Sequence, residues 1–378
     1  MTHQNFSVAA DPNVEAAIAA KIDTLLEAAT HIPGVKAVVL GGSLGRGEAT
    51  IGPDGLASDI ELYLVGSDRR LRDQAQSLEQ SQRSAGWDVS IAWVHPRQLT
   101  SGRAKNLSWR PSRTIRQYEL VTASRVLAGS LPHAMAPAAR DIPLAEGVRL
   151  ILNRLAEASL PIATGSPDAD RWLDKTLIAV GDTLLLAAGQ YTARYRDRMA
   201  RLRSLRTPTL TEADKNRVVA SYQRKLLGGG SAPSHSDVRR IAAAGLRFGV
   251  ASTLGMAIAA WDSFPREFAQ RAARHEAYLR YLPPAGSSAL YESLIVMLRV
   301  RWNGLPLRPV ALIEALRGRP MSLLAQGTAA PLAFGILEGR ADLVEAAARA
   351  MYAAGLPSVG GEASDVAATL RRYWAASA

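Results

Sequence analysis

The sequence contains no cysteine. This absence excludes disulfide bonds, thiolate-ligated metal ions and a cysteine nucleophile. Histidine is also scarce, at six residues, and the spacing of these residues is not that of a metal site. A chain without cysteine is compatible with a reducing compartment. We therefore expect a cytoplasmic protein without a histidine- or cysteine-ligated metal.

Long hydrophobic runs are missing as well. The longest uncharged and mostly apolar stretch covers residues 248–261, which are fourteen residues, whereas a membrane-spanning helix needs ~20. The N-terminus has no basic segment followed by an apolar one, as a signal peptide would. We expect residues 248–261 to form a buried helix, and we expect no contact with a membrane.

Acidic residues are outnumbered by basic ones, which gives a formal net charge of +11. This excess favours anionic partners such as nucleotides, nucleic acid or a membrane surface, without choosing among them. The chain has 378 residues, of which 48% are hydrophobic. At ~150 residues per domain, this length predicts two or three domains with a sizeable core.

The hydrophobic patterns divide the chain into two parts. Up to about residue 95 they predict, in order, a helix, a strand, a glycine-rich turn, a strand, a helix and a strand. Beyond about residue 140 long helical patterns dominate. The fold class expected is thus an α/β domain with a mixed sheet over residues 1–130, followed by a mainly α-helical domain over 131–378. A further division near 265–290 is left open.

The first strand runs into Gly41-Gly42-Ser43, and Arg46 follows three residues later. Glycines let a backbone approach a phosphate closely and turn its N–H groups towards it, and the Ser43 hydroxyl adds a donor. The turn is therefore a candidate phosphate-binding loop. The alternative is an ordinary tight turn, with Arg46 on a helix surface.

Two carboxylates begin the next strand. Asp59 and Glu61 are two residues apart, so they share one face of the strand, while Ile60 points the other way. A divalent cation would relieve their mutual repulsion, although alternating acids are also ordinary on a solvent-exposed strand face. Asp88, at the start of the third strand, would join them if that strand pairs alongside. Three carboxylates can hold two Mg²⁺ ions.

The glycine-serine turn, the pair Asp59-x-Glu61 and a later strand acid together resemble the polymerase-β-type nucleotidyltransferase superfamily. The form is similar to that of bacterial stand-alone members, including antibiotic nucleotidyltransferases. The resemblance covers about residues 30–95, and it departs from the usual pattern in a spacer of fifteen residues between Ser43 and Asp59 and in a glutamate as the second acid.

The resemblance implies a nucleoside triphosphate substrate and two Mg²⁺ ions, with Mn²⁺ as an alternative metal. A hydroxyl group would attack the α-phosphate and pyrophosphate would leave. Asp59, Glu61 and Asp88 are then expected to be the metal ligands and catalytic residues. The residues expected to contact the triphosphate in the turn are Gly42, Ser43 and Arg46.

In the helical part, Lys175 and Tyr191 are expected to bind nucleotide. Lys175 shares an otherwise apolar helix face with Asp182, and pairing between these two side chains is the alternative. Two basic clusters with interleaved aromatic residues could contact the triphosphate or an acceptor, or could be solvated helix faces. The first contains Arg103, Lys105, Arg110, Arg113, Arg116 and Arg125, and the second contains Arg194, Arg196, Arg198, Arg201, Arg203 and Arg206.

The acceptor of the nucleotide is not fixed by the sequence. A hydroxyl of a small molecule, such as an antibiotic or a sugar, is the first hypothesis. Transfer to RNA, to a protein or to another nucleotide, which would yield a signal oligonucleotide, is the second. A non-catalytic nucleotide-binding or antitoxin-like module is the third.

Overall fold

A computed structural model describes most of the chain. The described residues are 5–8, 11–52, 55–96, 99, 114–131, 138–275, 278, 294, 296–298, 300–301, 308, 310–317, 319–357 and 362–377. Four members of the first basic cluster, Arg103, Lys105, Arg110 and Arg113, lie outside these ranges. So does the proline-glycine break at residues 283–286.

The first part of the chain is an α/β unit. Its helices are α1 (Pro12–Thr30), α2 (Gly42–Arg46), α3 (Leu71–Ser84) and α4 (Ile115–Ala123). Its strands are β1 (Ala37–Leu40), β2 (Ile51–Gly52), β3 (Gly55–Leu56), β4 (Ile60–Val65), β5 (Val89–Val94) and β6 (Arg125–Gly129). The α/β character expected for this part is confirmed.

Four strands form a mixed sheet in the order β5-β4-β1-β6. β1 is antiparallel to both β4 and β6, whereas β4 and β5 are parallel, with Ile60 aligned with Val89 and Glu61 with Ser90. β1 is buried over its whole length and its sequence is a continuous apolar run, whereas β4 is buried at every residue except Glu61, its one charged residue. The pair β2 and β3 forms a separate short hairpin beside the sheet.

The second part is helical from residue 144 onwards within the described ranges. Its helices are α5 (Leu144–Ala163), α6 (Ala169–Ala187), α7 (Tyr195–Ser204), α8 (Glu212–Leu227), α9 (His235–Leu254), α10 (Phe264–Ala272), α11 (Val310–Leu316), α12 (Met321–Glu338), α13 (Ala341–Ala353) and α14 (Ala363–Ser377). One large apolar core runs through most of these helices. The mainly helical character expected of this part is confirmed.

The structure corrects one expected boundary and adds two elements that were not predicted. The helix expected over residues 248–261 ends at Leu254, because Gly255 adopts a left-handed conformation with φ of 57° that stops it. The segment after it is still buried at Met256 and Trp261, so burial did not require a helix there. Strand β6 and helix α7 were not predicted, since the arginines at their starts obscured the apolar pattern.

No single helix among the described residues is long and apolar enough to cross a bilayer, and only α11 and α12 taken together, bent by 99°, meet the criteria of length and composition. The apolar face of α12 is buried against neighbouring helices over most of its length.

Candidate functional site

The two glycines of the turn fit against side chains of strand β4. A Cβ atom on Gly41 would lie 2.4 Å from Cε2 of Tyr63, and a Cβ on Gly42 would lie 2.4 Å from Oε1 of Glu61. Neither neighbour leaves room for a larger residue. The turn therefore lies directly on the strand face that carries Asp59, Glu61 and Tyr63, which the two-residue period places on one side.

Glu61 is held by a short chain of hydrogen bonds. The Tyr63 hydroxyl donates to Glu61 Oε2 at 3.0 Å, and Nε of Arg116 donates to the Tyr63 hydroxyl at 3.3 Å. Burial, reinforced by the charge of Asp59, raises the pKa of the Glu61 carboxyl, while the Tyr63 hydrogen bond and Arg46 act in the opposite direction. A buried carboxylate beside another one is a setting in which a bound cation stabilises the charged form.

Asp88 stands next to Asp59 across the sheet, as the parallel pairing of β4 and β5 requires. Its backbone carbonyl accepts a hydrogen bond from Ile60 N–H at 2.9 Å, and its residue is exposed. The expected pairing of the two strands is thus confirmed. Across the described ranges, however, no three side chains of His, Cys, Asp or Glu form a group that could hold a metal ion. The pair Asp59 and Glu61 is what the structure brings together.

Cationic side chains from the helical part face Asp59. Nη2 of Arg171, on α6, lies 3.6 Å from Asp59 Oδ1. Lys175 lies one turn further along α6, and its pKa is lowered to about 8 by burial and by the nearby charges of Arg154 and Arg171. We call Arg154, Arg171, Lys175 and Lys225 the cation cluster. Such a concentration of partly buried positive charge is expected where an anion binds.

Lys225, at the end of α8, belongs to this cluster although it was not expected from the sequence. Its Nζ donates to the hydroxyls of Thr50 at 3.0 Å and Ser58 at 3.2 Å, and the Thr50 hydroxyl donates to the Lys225 carbonyl at 2.6 Å. Burial, followed by the charges of Lys175 and Arg171, lowers the pKa of Lys225 to about 7. The sequence did not indicate this role, because Lys225 is far from Asp59 along the chain and its helix has no distinguishing pattern.

The alternative expectation that Lys175 pairs with Asp182 is wrong. Nζ of Lys175 lies 4.2 Å from the centre of the Trp172 ring. Asp182 instead accepts hydrogen bonds from Arg198 Nη1 at 2.9 Å and from the Tyr222 hydroxyl at 2.6 Å. Lys175 is therefore part of the cation cluster, whereas Asp182 belongs to the interior of the helical part.

Arg46, expected to contact a triphosphate, is engaged in a buried network. Its Nη1 donates to Glu119 Oε2 at 3.0 Å, and its Nε lies 3.6 Å from Glu48 Oε2. The two carboxylates raise the pKa of Arg46 in spite of its burial. With both acids in contact and the residue 8% exposed, the guanidinium is a buried cation of the α/β unit, so the alternative of a helix-surface arginine is wrong.

Tyr191 belongs to the same network. Its hydroxyl donates to Glu119 Oε1 at 2.6 Å, its ring is 1% exposed, and the guanidinium carbon of Arg198 lies 4.4 Å from the ring centre. Arg198 also pairs with Glu119. The Tyr191 hydroxyl is thus already hydrogen-bonded inside the protein. Its predicted contact with a nucleotide finds no support in this arrangement.

The turn is also tied to the helical part through the residue after Gly47. Glu48 accepts hydrogen bonds from the backbone N–H groups of Tyr195 at 2.8 Å and Arg196 at 3.0 Å. The first N–H groups of a helix have no partner within the helix itself, and a negative charge beside them is favourable. Glu48 supplies both at the start of α7. Ser43 lies buried in α2, and its carbonyl accepts from Glu48 N–H at 2.8 Å.

The second basic cluster separates into two kinds of residue. Arg198 is buried, whereas the others are exposed, namely Arg194, Arg196, Arg201, Arg203 and Arg206. The aromatic residues interleaved with them, Tyr191 and Tyr195, turn inwards, and Tyr195 lies against Tyr222 and Arg46. The cluster therefore does not present aromatic rings for stacking on bases.

Comparisons with known proteins returned no relative of this chain. No protein family, no curated protein and no solved structure matched it. The interpretation of the site accordingly depends on its own geometry.

Proposed function

We propose that the chain is a metal-dependent nucleotidyltransferase, which transfers a nucleoside monophosphate from a nucleoside triphosphate to a hydroxyl of a small molecule and releases pyrophosphate. The observation that carries this proposal is that two groups of opposite charge face each other. Asp59 and Glu61 lie on the strand face under the Gly41-Gly42 turn, and the cation cluster faces them from α5, α6 and α8.

The donor set suits Mg²⁺. This ion is typically held by one or two carboxylates together with substrate phosphates and water, and Asp59 and Glu61 supply two carboxylates on one face. The ion would neutralise charge on the phosphate oxygens. Mn²⁺ would serve as a substitute, since oxygen ligands suit it as well. Whether Asp88 contributes a third ligand is a separate question that mutation can answer.

The cation cluster supports the binding of a triphosphate. The four basic side chains of the cluster outnumber the nearby acids, which are Asp59, Glu61 and Glu157, the partner of Arg154. Arg171 is within 3.6 Å of Asp59, and Lys225 is fixed by two hydroxyl groups. A polyphosphate placed between the carboxylates with their metal ions and the cluster would satisfy both groups. Gly42 and Ser43 would border it from the turn.

A small-molecule acceptor remains the first hypothesis, because the second basic cluster lacks exposed aromatic rings. Loss of the predicted stacking residues weakens the case for RNA, since stacking supplies much of the affinity for single strands. The positive charge near Asp59 also argues against a polycationic acceptor such as an aminoglycoside, which it would repel. A neutral or anionic hydroxyl compound fits the site better.

A non-catalytic nucleotide-binding protein is the second candidate. It is favoured by the grouping of two rather than three carboxylates among the described side chains and by the contact of Arg171 with Asp59. Such a protein would bind a triphosphate at the cation cluster without cleaving it.

The test is incubation of the full chain with each labelled nucleoside triphosphate and Mg²⁺, with pyrophosphate release measured and the products identified by mass. Asp59→Asn and Glu61→Gln should each lower the rate by at least about a hundredfold, because even hydrogen-bond partners of metal ligands matter by 10- to 100-fold. Asp73→Asn, an exposed acid on α3, is the matched control. Binding of triphosphate with no pyrophosphate from any acceptor would favour the second candidate.

Asp88→Asn decides the role of the third acid in the same assay. A loss equal to that of Asp59→Asn would make Asp88 a ligand. A rate like that of Asp73→Asn would leave the pair as the complete set supplied by the chain.

A further inference from the structure

Tyr63 lies in the site but has no role in the function proposed so far. It is two residues beyond Glu61, so both side chains share one strand face, and it is 5% exposed. Its ring occupies the space that a side chain at Gly41 would need. A tyrosine buried this deeply needs a partner for its hydroxyl, and the identity of that partner determines what the residue does.

The direction of the hydrogen bonds at Tyr63 is fixed by chemistry. The guanidinium of Arg116 has donors only, so its Nε–H, 3.3 Å away, uses the phenol oxygen as an acceptor. The single hydrogen of the Tyr63 hydroxyl is then left for Glu61 Oε2, 3.0 Å away. The guanidinium carbon of Arg116 also lies 4.9 Å from the centre of the Tyr63 ring, which keeps the two side chains together.

Among the described residues, Glu61 has a side-chain hydrogen bond at one carboxylate oxygen only. Oε2 is bonded to Tyr63, while Oε1 lies at the Gly42 backbone, at the turn. Within the described ranges, no other side chain hydrogen-bonds to either oxygen. The bond from Tyr63 also opposes the effect of burial on the Glu61 carboxyl, whose pKa is raised overall.

We propose that Tyr63 is a positioning residue for Glu61, and that Arg116 in turn orients Tyr63, so that the other carboxylate oxygen is presented to the metal ion at the turn. The inference rests on the proposed function, since it assigns Glu61 to a metal ion. It adds two residues to the site, Tyr63 and Arg116, that neither touch the substrate nor carry out the reaction. Hydrogen-bond partners of metal ligands have this effect in general.

The experiment measures Mn²⁺ binding to the full chain by electron paramagnetic resonance, with and without a non-hydrolysable triphosphate. Tyr63→Phe keeps the ring over Gly41 and removes only the hydroxyl. It should weaken Mn²⁺ binding about tenfold, and Arg116→Gln should weaken it in the same direction by less. Tyr278→Phe, which removes a hydroxyl bonded to Thr253 in the helical part, should bind as the unaltered chain does. Circular dichroism and thermal unfolding verify that each variant is folded.

Glu61→Gln separates the two levels of the argument. If the unaltered chain binds Mn²⁺, Glu61→Gln does not, and Tyr63→Phe binds as tightly as the unaltered chain, then the role of Tyr63 is overturned while the proposed function stands. If the unaltered chain binds no Mn²⁺ even with triphosphate, the proposed function fails and the inference fails with it. Weakened binding in Tyr63→Phe at unchanged thermal stability supports the positioning role, because a merely structural residue would alter stability instead.

Discussion

Glu48 of the α/β part caps a helix of the helical part, because its carboxylate accepts the backbone N–H of Tyr195 at 2.8 Å. The neighbouring N–H of Arg196 donates to the same carboxylate at 3.0 Å. Glu48, which lies five positions after the end of the Gly41-Gly42-Ser43 turn, thereby fixes the start of α7. This relationship gives the first of four predictions.

Glu48→Ala should lower the free energy of unfolding by about 1–2 kcal/mol, the upper part of the range for the loss of a helix cap, since a charge is lost as well. Urea unfolding measures it. Ser234→Ala, which removes the side-chain cap of α9, is the matched control and should lower stability by about 1 kcal/mol. If cap loss at Ser234 destabilised the protein more than cap loss at Glu48, the importance given to this contact would be wrong.

Gly42→Ala tests the fit between the turn and Glu61. Gly42 has a φ of 59° and its added Cβ would lie 2.4 Å from Glu61 Oε1, whereas Gly255 has a φ of 57° and open space around it. Both alanine variants should be destabilised by a similar backbone strain of about 1 kcal/mol. Only Gly42→Ala should also displace Glu61 and abolish metal-dependent triphosphate binding. Equal binding by the two variants, measured by calorimetry, would contradict this account.

Binding of triphosphate should weaken as the pH rises from about 6.5 to about 8.5. The pKa values of Lys225 and Lys175 are lowered from 10.5 to about 7 and about 8, mainly by burial. Above these values the amines are neutral and attract phosphate less, so binding near neutral pH should take up protons. Calorimetry in buffers of different ionisation enthalpy counts them. Lys225→Met should remove the lower step, and Lys21→Met, an exposed residue on α1, should leave the profile unchanged.

The same shifts have a defined effect on folding. Because the folded-state pKa of each lysine lies below the unfolded value of 10.5, the unfolded chain binds more protons between about pH 7 and pH 10.5. Stability therefore rises with pH through that window as far as these two groups are concerned, and their contribution is constant below it.

Arg198→Met should lower the free energy of unfolding by about 3–5 kcal/mol, because it leaves the buried Asp182 without its cation and removes one of the two cations paired with Glu119. The side chain of Arg198 is 2% exposed and pairs with both acids. Arg203→Met, an exposed residue on the same helix, should change stability by no more than about 0.5 kcal/mol. A small effect at Arg198 in denaturant titrations would show that water or another cation replaces it.

The α/β order of elements and the shared face of Asp59 and Glu61 could be predicted from the sequence. Both depend on short-range periodicity, and in β4 this periodicity is visible as an alternation of apolar and polar residues. The glycine turn was recognisable for the same reason. Its second purpose, to leave room for Glu61 and Tyr63, required the strand to be placed against it and was not predicted.

The long-range partners could not be predicted. Arg46 is separated from Glu119 by 73 positions, and Lys225 from Thr50 by 175, so no local pattern relates them. Arg46 and Tyr191 were assigned to the nucleotide because cations and phenols suit phosphates and bases. The structure instead directs both to Glu119, an acid for which no role was predicted. The position of Tyr63 two residues after Glu61 was the one available signal for its role.

The buried network of Arg46, Glu119, Arg198 and Asp182 has a practical consequence for dissecting the protein. The change from α/β to helical patterns near residue 130 looks like a place to cut, but a cut there would put Arg46 and Glu119 on one polypeptide and Arg198 and Asp182 on the other. Each fragment would keep one ion pair of the network, Arg46 with Glu119 or Arg198 with Asp182, but the contact of Arg198 with Glu119 would be lost. Fragments divided at this change of pattern and produced together would have to restore the contact of Arg198 with Glu119, so its recovery would report that the two parts have recombined.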